Sequence, residues 1–102
     1  MQGEMPMQDD EFEWDVDKAR ANLAKHKIDF WEATLIFGDP VVVDEPDDTM
    51  DYGEERFKAI GMVNGRLVTV LYTVRDDRVR IISARKPTPT ETRVYARQNP
   101  ES

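Results

Sequence analysis

Asparagine followed by glycine, between two largely apolar segments, predicts a tight hairpin in the second half of this chain. Asn64-Gly65 separates residues 57–63 from residues 66–74, and this dipeptide is typical of a type I′ turn. Asp76-Asp77 forms a second two-residue connection, which leads into residues 78–86. Because such a turn fixes how its two strands pair, the sequence predicts a three-stranded antiparallel meander of defined register.

Helical patterns precede and follow the meander. Asp15 is a suitable N-cap for a helix over residues 16–27, in which apolar residues recur at helical spacing. A second, short helix is expected over residues 29–37, before a Gly-Asp-Pro segment that ends it. After the meander, two prolines stop the last strand, and Thr90 is expected to cap a closing helix.

The 102 residues suffice for one small domain. Two N-terminal helices packed on an antiparallel meander, with a C-terminal helix, predict an α+β fold with further short strands at residues 12–14 and 41–43. We expect the domain to span residues 12–97, after a flexible acidic leader (1–11) and before a tail (98–102). The chain has no cysteine, which excludes a disulfide framework, and no apolar run is long enough to span a membrane.

Counting along both hairpins assigns each strand residue to one face of the sheet. Arg56, Thr73 and Arg80 fall in one row across the three strands, and Val70 is expected opposite Ser83. One face is apolar and suits the packing of helices; it comprises Phe57, Ala59, Val68, Val70, Tyr72, Val74, Val79 and Ile81. The other face mixes apolar and charged side chains; it comprises Ile60, Leu67, Leu71, Ile82, Glu54, Arg56, Lys58, Arg75, Arg78, Arg80 and Lys86.

Charge is distributed unevenly along the chain, whose net charge is −7. Residues 1–55 contain four Lys and Arg against seventeen Asp and Glu, whereas residues 56–97 contain ten against three. Guanidinium groups clustered on one sheet face repel one another unless an anion bridges them, and the planar fork of arginine matches a phosphate. The same pattern also fits a solvated face whose charges pair across strands, with Glu54 beside Arg75 or Arg78. The residue pattern leaves both interpretations open.

Few other side chains suggest a reactive centre. His26, the only histidine, follows Lys25 near the end of the first predicted helix, where a packing or capping role is commoner than a catalytic one. One histidine and no cysteine predict no metal site, and no motif indicates a cofactor. Arg85 falls on the apolar face in this register, near Gly61 and Val68, so a structural role and a role around the strand end both stay open.

Several short motifs, in order and spacing, resemble the BrnT toxin family over about residues 12–95. In the first half they are Trp14-Asp15, Lys18, Asn22, Lys25-His26, Phe30, Glu32-Ala33, Phe37 and Asp39-Pro40. In the second half they are residues 53–57, Ile60-Gly61, the hairpin, residues 80–86 and residues 91–95. Lys27 departs from the pattern, since the family usually has glycine after Lys-His.

The resemblance implies a RelE-like fold and a ribonuclease toxin of a type II toxin–antitoxin pair, which inhibits translation and growth. Such a toxin cuts RNA without a metal ion, because the ribose 2′-hydroxyl attacks the adjacent phosphate and leaves a 2′,3′-cyclic phosphate and a 5′-hydroxyl. The implied partners are the RNA substrate and a cognate antitoxin, BrnA-like and DNA-binding, in a hetero-oligomeric complex. DNA would be contacted only through the antitoxin, no membrane would be involved, and the location would be cytoplasmic.

By the same analogy, Arg56 and Arg80 are expected to bind the phosphate and its transition state. Glu54 or His26 is expected to be the general base, and Lys25 a second cation near the RNA. The weaker candidates for RNA contacts are Lys58, Arg75, Arg78, Arg85 and Lys86. An alternative from another class is a non-catalytic module whose basic face holds an acidic partner protein or a nucleic acid.

Overall fold

The computed structural model describes residues 7–8, 11–47 and 54–98. The rest of the predicted leader, the acidic segment 48–53 and residues 99–102 of the predicted tail lie outside the described residues. The fold is α+β. Its helices are α1 (Val16–His26), α2 (Phe30–Thr34), which continues into a 3₁₀ turn (Leu35–Gly38), and α3 (Pro89–Gln98). Its strands are β1 (Met7–Gln8), β2 (Phe12–Trp14), β3 (Val43–Pro46), β4 (Phe57–Val63), β5 (Arg66–Arg75) and β6 (Arg78–Arg85).

The six strands form one mixed sheet in the order β1-β2-β6-β5-β4-β3. The predicted meander is present, and β3 extends it on the other side of β4, again antiparallel. The short strand predicted over residues 12–14 is present as β2. It joins the meander by pairing parallel to β6, which places Glu13 beside Arg80. Parallel strands need a long connection, and most of the domain lies between these two.

Both predicted two-residue turns are confirmed by their backbone angles. Asn64 and Gly65 have φ of 50° and 82°, and Asp76 and Asp77 have φ of 54° and 64°. Positive φ at both central positions defines the type I′ turn, whose twist matches that of the strands it joins. The first hairpin therefore has the predicted register, with Phe57 opposite Tyr72.

A β-bulge changes the second hairpin part-way along β6. Near the turn, Tyr72 lies opposite Ile81 as predicted, but the next residue, Leu71, lies opposite Ser83. Ile82 is thus an extra residue without an opposite partner on β5. Beyond it, every residue of β6 faces the side opposite to the one that simple counting assigns.

The bulge corrects two predictions. Val70 lies opposite Ala84, not Ser83, and Arg85 lies opposite Thr69. Because Thr69 belongs to the face that carries the charged residues, Arg85 lies on that face too and not on the apolar one. We call this side of the sheet the polar face from here on.

The N-terminal helices cover the apolar face. The buried cluster there comprises Trp14, Ile28, Phe30, Ala33, Ile36, Ala59, Val63, Val68, Val70, Tyr72, Ile81 and Ala84. The 3₁₀ turn approaches β4 so closely that a Cβ on Gly61 would lie 2.8 Å from the Ile36 Cβ atom. Glycine at this position lets the turn pack directly against the strand.

The C-terminal helix α3 packs on the polar face, over the end of the sheet near the β4–β5 turn. Ile60 and Thr69 are completely buried beneath it. The Tyr95 hydroxyl donates a hydrogen bond to Asp39 Oδ2 at 2.6 Å, which ties α3 to the loop after the 3₁₀ turn. One end of the polar face is therefore covered, and the end that carries Arg56 and Arg80 lies beyond the helix.

The cap predicted for α3 is wrong by two residues. Thr88 is the N-cap: its hydroxyl oxygen accepts a hydrogen bond from the Glu91 N–H at 3.1 Å. Glu91 Oε1 in turn accepts from the Thr88 N–H at 2.9 Å, which completes a capping box. Pro89 then occupies the first helical position, where its missing N–H costs nothing, and this explains why the helix starts before Thr90.

The boundaries of the other elements are close to those predicted. Asp15 caps α1 and accepts from the N–H groups of Asp17 and Lys18 at 2.8 and 3.1 Å. The helix ends at His26, and Lys27 adopts a left-handed conformation with φ of 62°, which is the usual place for glycine. The strand expected over residues 41–43 begins only at its last residue.

Asn22 joins α1 to the edge of β6. Its amide nitrogen donates to the carbonyl oxygens of Ala84 (2.8 Å) and Ile28 (3.1 Å), and its Oδ1 accepts from the Ala84 N–H at 3.1 Å. The side chain is buried. It thereby satisfies backbone groups of β6 just beyond the bulge, where β2 no longer pairs with that strand.

Replacing Asn22 with alanine is expected to destabilise the fold by about 2–3 kcal/mol, because three buried backbone groups lose their partner. The melting temperature should fall by roughly 10–20 °C. Thermal unfolding followed by circular dichroism measures this, with Arg20→Ala on the exposed side of the same helix as the control. Equal melting temperatures for both variants would show that water replaces the amide without cost.

Candidate active site

Arg56, Thr73 and Arg80 form a row on the polar face, as the turns predict. Thr73 lies opposite Arg80, and Arg56 directly precedes Phe57, which lies opposite Tyr72. Neighbouring strands lie about 5 Å apart, so the two arginines arise from backbones about 10 Å apart on either side of Thr73. Thr73 is buried, and its hydroxyl donates to the Glu55 carbonyl oxygen. The arginine side chains are 21% and 25% exposed, so their stems pack on the sheet and leave part of each side chain accessible.

Two carboxylates border this row. Glu54 lies 3.9 Å from the Arg56 guanidinium and accepts a hydrogen bond from Arg75 at 3.2 Å. On the opposite side, Glu13 accepts from Arg80 at 3.1 Å. Glu54 was among the sequence candidates, and its contact with Arg75 was also expected from cross-strand pairing. The row therefore combines fixed cations with carboxylate acceptors.

Glu13 borders the row, although the sequence does not predict it. It is 8% exposed although it is charged, which is uncommon unless the charge is paired. Its position between Phe12 and Trp14 in a short strand was a signal, because alternation places it on the face opposite to the two aromatic rings. The sequence does not indicate its partner, because Arg80 becomes its neighbour only through the parallel pairing of β2 with β6.

Lys58 and Arg85 converge on a different carboxylate, Glu91 of α3. Arg85 donates two hydrogen bonds to it, at 2.8 and 3.0 Å, and Lys58 Nζ lies 3.2 Å away. The Thr69 hydroxyl donates at 3.0 Å. Burial alone would raise the pKa of Glu91, but the hydrogen bonds from Arg85, the Thr88 N–H and Lys58 lower that pKa to about 2. The two cations thus help to hold α3 on the sheet.

Lys25, His26 and Lys86 lie elsewhere. His26 and Lys86 line a cleft of about 550 Å³ at the end of the sheet, between α1, the β4–β5 turn and α3. Lys25 and His26 also border a shallow depression beside Ile82. Neither lining includes Arg56 or Arg80, and Lys86 lies roughly 20 Å from Arg80 along β6. The residues that the sequence predicts for the site therefore lie at three separate places: the row, the contacts with Glu91 that hold α3 on the sheet, and the cleft.

Residues 14–91 match a family model described as the ribonuclease toxin BrnT of type II toxin–antitoxin systems. The match spans most of the chain. The chain belongs to the BrnT toxin family. The matched range includes all ten residues that the sequence predicts for the site, whereas Glu13 lies immediately before the first matched residue. A comparison with curated proteins finds no match.

Membership of the BrnT family makes this chain a ribonuclease toxin of the type II class, with RNA as substrate and an antitoxin as partner. The family resemblance found in the sequence is thereby confirmed. In the part of the chain that the structure describes, no helix is both long and apolar enough to cross a membrane.

Proposed function

We propose that this BrnT-family chain cuts RNA at the row of Arg56, Thr73 and Arg80 by attack of a ribose 2′-hydroxyl on the adjacent phosphate, without a metal ion. The observation that carries the proposal is the placement of two arginines on either side of Thr73, with Glu54 at ion-pair distance from one of them. The alternative is a module that only binds RNA or an acidic partner through the same row.

The reaction requires a base at the 2′-oxygen and positive charge on the phosphorane. In the proposed step the O2′–P bond forms as the P–O5′ bond breaks. Glu54 accepts the proton of the 2′-hydroxyl, and the departing 5′ oxygen takes its proton from solvent. Arg56 and Arg80 bind the non-bridging oxygens, and they supply the charge that a metal ion supplies in other nucleases.

Glu54 is favoured over His26 as the base because of its position. Its carboxylate contacts Arg75 and lies at ion-pair distance from Arg56, whereas the two surface hollows that His26 borders include no residue of the row. A phosphate that binds Arg56 replaces Glu54 as the partner of the guanidinium and leaves the carboxylate free to accept a proton. Glu13 and Arg80 form the equivalent pair on the other side.

The proposal extends to the partner and the setting. The family implies an antitoxin, and we infer that it is a DNA-binding, BrnA-like protein that forms a hetero-oligomer with the toxin in the cytoplasm. An acidic segment of this antitoxin would block RNA by occupying the phosphate positions between Arg56 and Arg80. The mixed sheet with helices on both faces is compatible with a RelE-like arrangement, which forms part of the same proposal.

Purified protein incubated with RNA in EDTA tests the proposed chemistry. We expect cleavage that leaves 2′,3′-cyclic phosphate and 5′-hydroxyl ends, and no cleavage when hydrogen replaces every 2′-hydroxyl. Mass spectrometry of the fragments identifies the ends. Cleavage that depends on Mg²⁺, or equal cleavage of DNA, would reject the mechanism, and binding without cleavage would favour the alternative module.

A further inference from the structure

The cleft at the end of the sheet is chemically unlike the row. It lies where α1 ends, where the β4–β5 turn returns and where α3 begins. Its lining combines an imidazole, an ammonium group, a hydroxyl and apolar side chains; the main contributors are His26, Met62, Leu67, Lys86, Pro87 and Thr92. A volume of about 550 Å³ is within the range of small-ligand sites.

The side chains of His26 and Lys86 in this cleft are free to meet a ligand, unlike the arginines of the row. Within residues 7–8, 11–47 and 54–98, the side chains of His26 and Lys86 form no ion pair and no hydrogen bond. By contrast, Arg66 at the rim is bound to Glu32 at 2.8 Å. Arg56 and Arg80 face Glu54 and Glu13 at ion-pair distance. Lys86 therefore presents its ammonium group beside the apolar side chains that line the cleft.

We propose that this cleft binds one nucleotide of the RNA substrate away from the scissile bond, with its base against the His26 ring and its phosphate on Lys86. Single-stranded RNA is recognised by stacking of bases on flat side chains, histidine included, together with cations that follow the backbone. Met62 and Leu67 offer apolar contact to the base and ribose. An acidic peptide would use Lys86 but would leave the ring and the apolar floor without a function, so RNA fits the lining better.

A basic surface along α1 adjoins the cleft and offers further cations to the RNA backbone. Lys18 and Lys25 lie along α1 and border the depression beside Ile82, and His26 borders both this depression and the cleft. The roughly 20 Å between Arg80 and Lys86 corresponds to a few nucleotides of an extended strand. The inference rests on the proposed function for the identity of its ligand, but it concerns binding and not the chemical step.

The test measures the affinity of a fluorescent, non-cleavable 2′-O-methyl oligonucleotide by anisotropy over a range of salt concentrations. His26→Ala should weaken binding by roughly 5- to 150-fold, as expected for loss of one base stack, and His26→Phe should restore most of the affinity. Lys86→Ala should weaken binding about tenfold and reduce the slope of log affinity against log salt by about 1.

Arg97→Ala is the matched control, because it removes one exposed cation of α3 that the cleft lining does not include, and it should bind like the wild type. Wild-type affinity in His26→Ala or Lys86→Ala would overturn the inference, and so would a loss in His26→Phe as large as in His26→Ala. If these two variants lose antitoxin binding but keep their RNA affinity, the cleft binds a protein partner, and the inference is overturned as well. If the wild type binds the oligonucleotide but cuts no RNA, the proposed function fails while the cleft inference stands.

Discussion

Arg80→Lys should slow RNA cleavage by about 10²–10³-fold, the usual cost of removing one donor that stabilises transition-state charge. Lysine keeps the positive charge beside Glu13, which lies 3.1 Å from the native guanidinium, so the buried carboxylate still has a cation near it. What lysine lacks is the planar fork that binds two phosphate oxygens at once. The variant therefore separates phosphate geometry from stability. Arg56→Lys should behave in the same way.

Single-turnover cleavage of a defined RNA, with the melting temperature of each variant, measures this effect. Arg20→Ala is the control, because its side chain is 77% exposed and pairs only with Asp17 in the described chain; it should cut RNA like the wild type. Arg80→Ala is less informative, since it leaves Glu13 buried without its cation. Cleavage by Arg80→Lys at the wild-type rate would show that the reacting phosphate does not bind at the row.

The second large effect concerns stability: Glu91→Ala should cost about 3–5 kcal/mol, the range for breaking a buried ion pair. Glu91 is 6% exposed and connects Lys58, Thr69 and Arg85 to the start of α3. Its removal leaves two half-buried cations facing each other and destroys the capping box. The melting temperature should fall by roughly 15–30 °C.

A double variant separates the contribution of the ion pair to stability from the contribution of side-chain packing. Arg85→Met combined with Glu91→Leu removes both charges of this ion pair and fills similar volumes, so it should recover part of the stability lost in Glu91→Ala. The capping box and the Lys58 contact stay lost in both variants. A melting temperature of Glu91→Ala equal to that of the wild type would show that α3 contributes little to the fold.

The same carboxylate makes stability depend on pH. The pKa of Glu91 is lowered from its ordinary 4.5 to about 2, so its contribution is complete above about pH 5 and disappears as the pH falls towards 2. The difference in unfolding free energy between the wild type and Glu91→Gln should therefore shrink between pH 5 and pH 2. A difference that stays constant with pH would assign the loss in Glu91→Gln to shape alone.

Local chemistry in the sequence determined the parts of the fold that short-range contacts specify. Asn64-Gly65 and Asp76-Asp77 determined two type I′ turns, because positive φ is least costly for these residue types. The pairing within about ten residues of each turn followed, and it brought Arg56, Thr73 and Arg80 into one row. The N-cap at Asp15 was equally local, since its side chain bonds to the next turn of its own helix.

Long-range contacts decided the rest. The bulge at Ile82 moved Arg85 to the polar face, where it pairs with Glu91 of α3. Beside it, Asn22 of α1 bonds to the backbone of Ala84. Asn22 lies 62 positions before Ala84 in the chain, so counting from a turn could not reveal the extra residue. The pairing of Glu13 with Arg80 spans 67 positions and depends on a parallel strand that no turn signal marks. A turn can fix only the strands it joins, whereas bulges, parallel pairs and buried carboxylates acquire their stability from side chains that meet after the chain has folded.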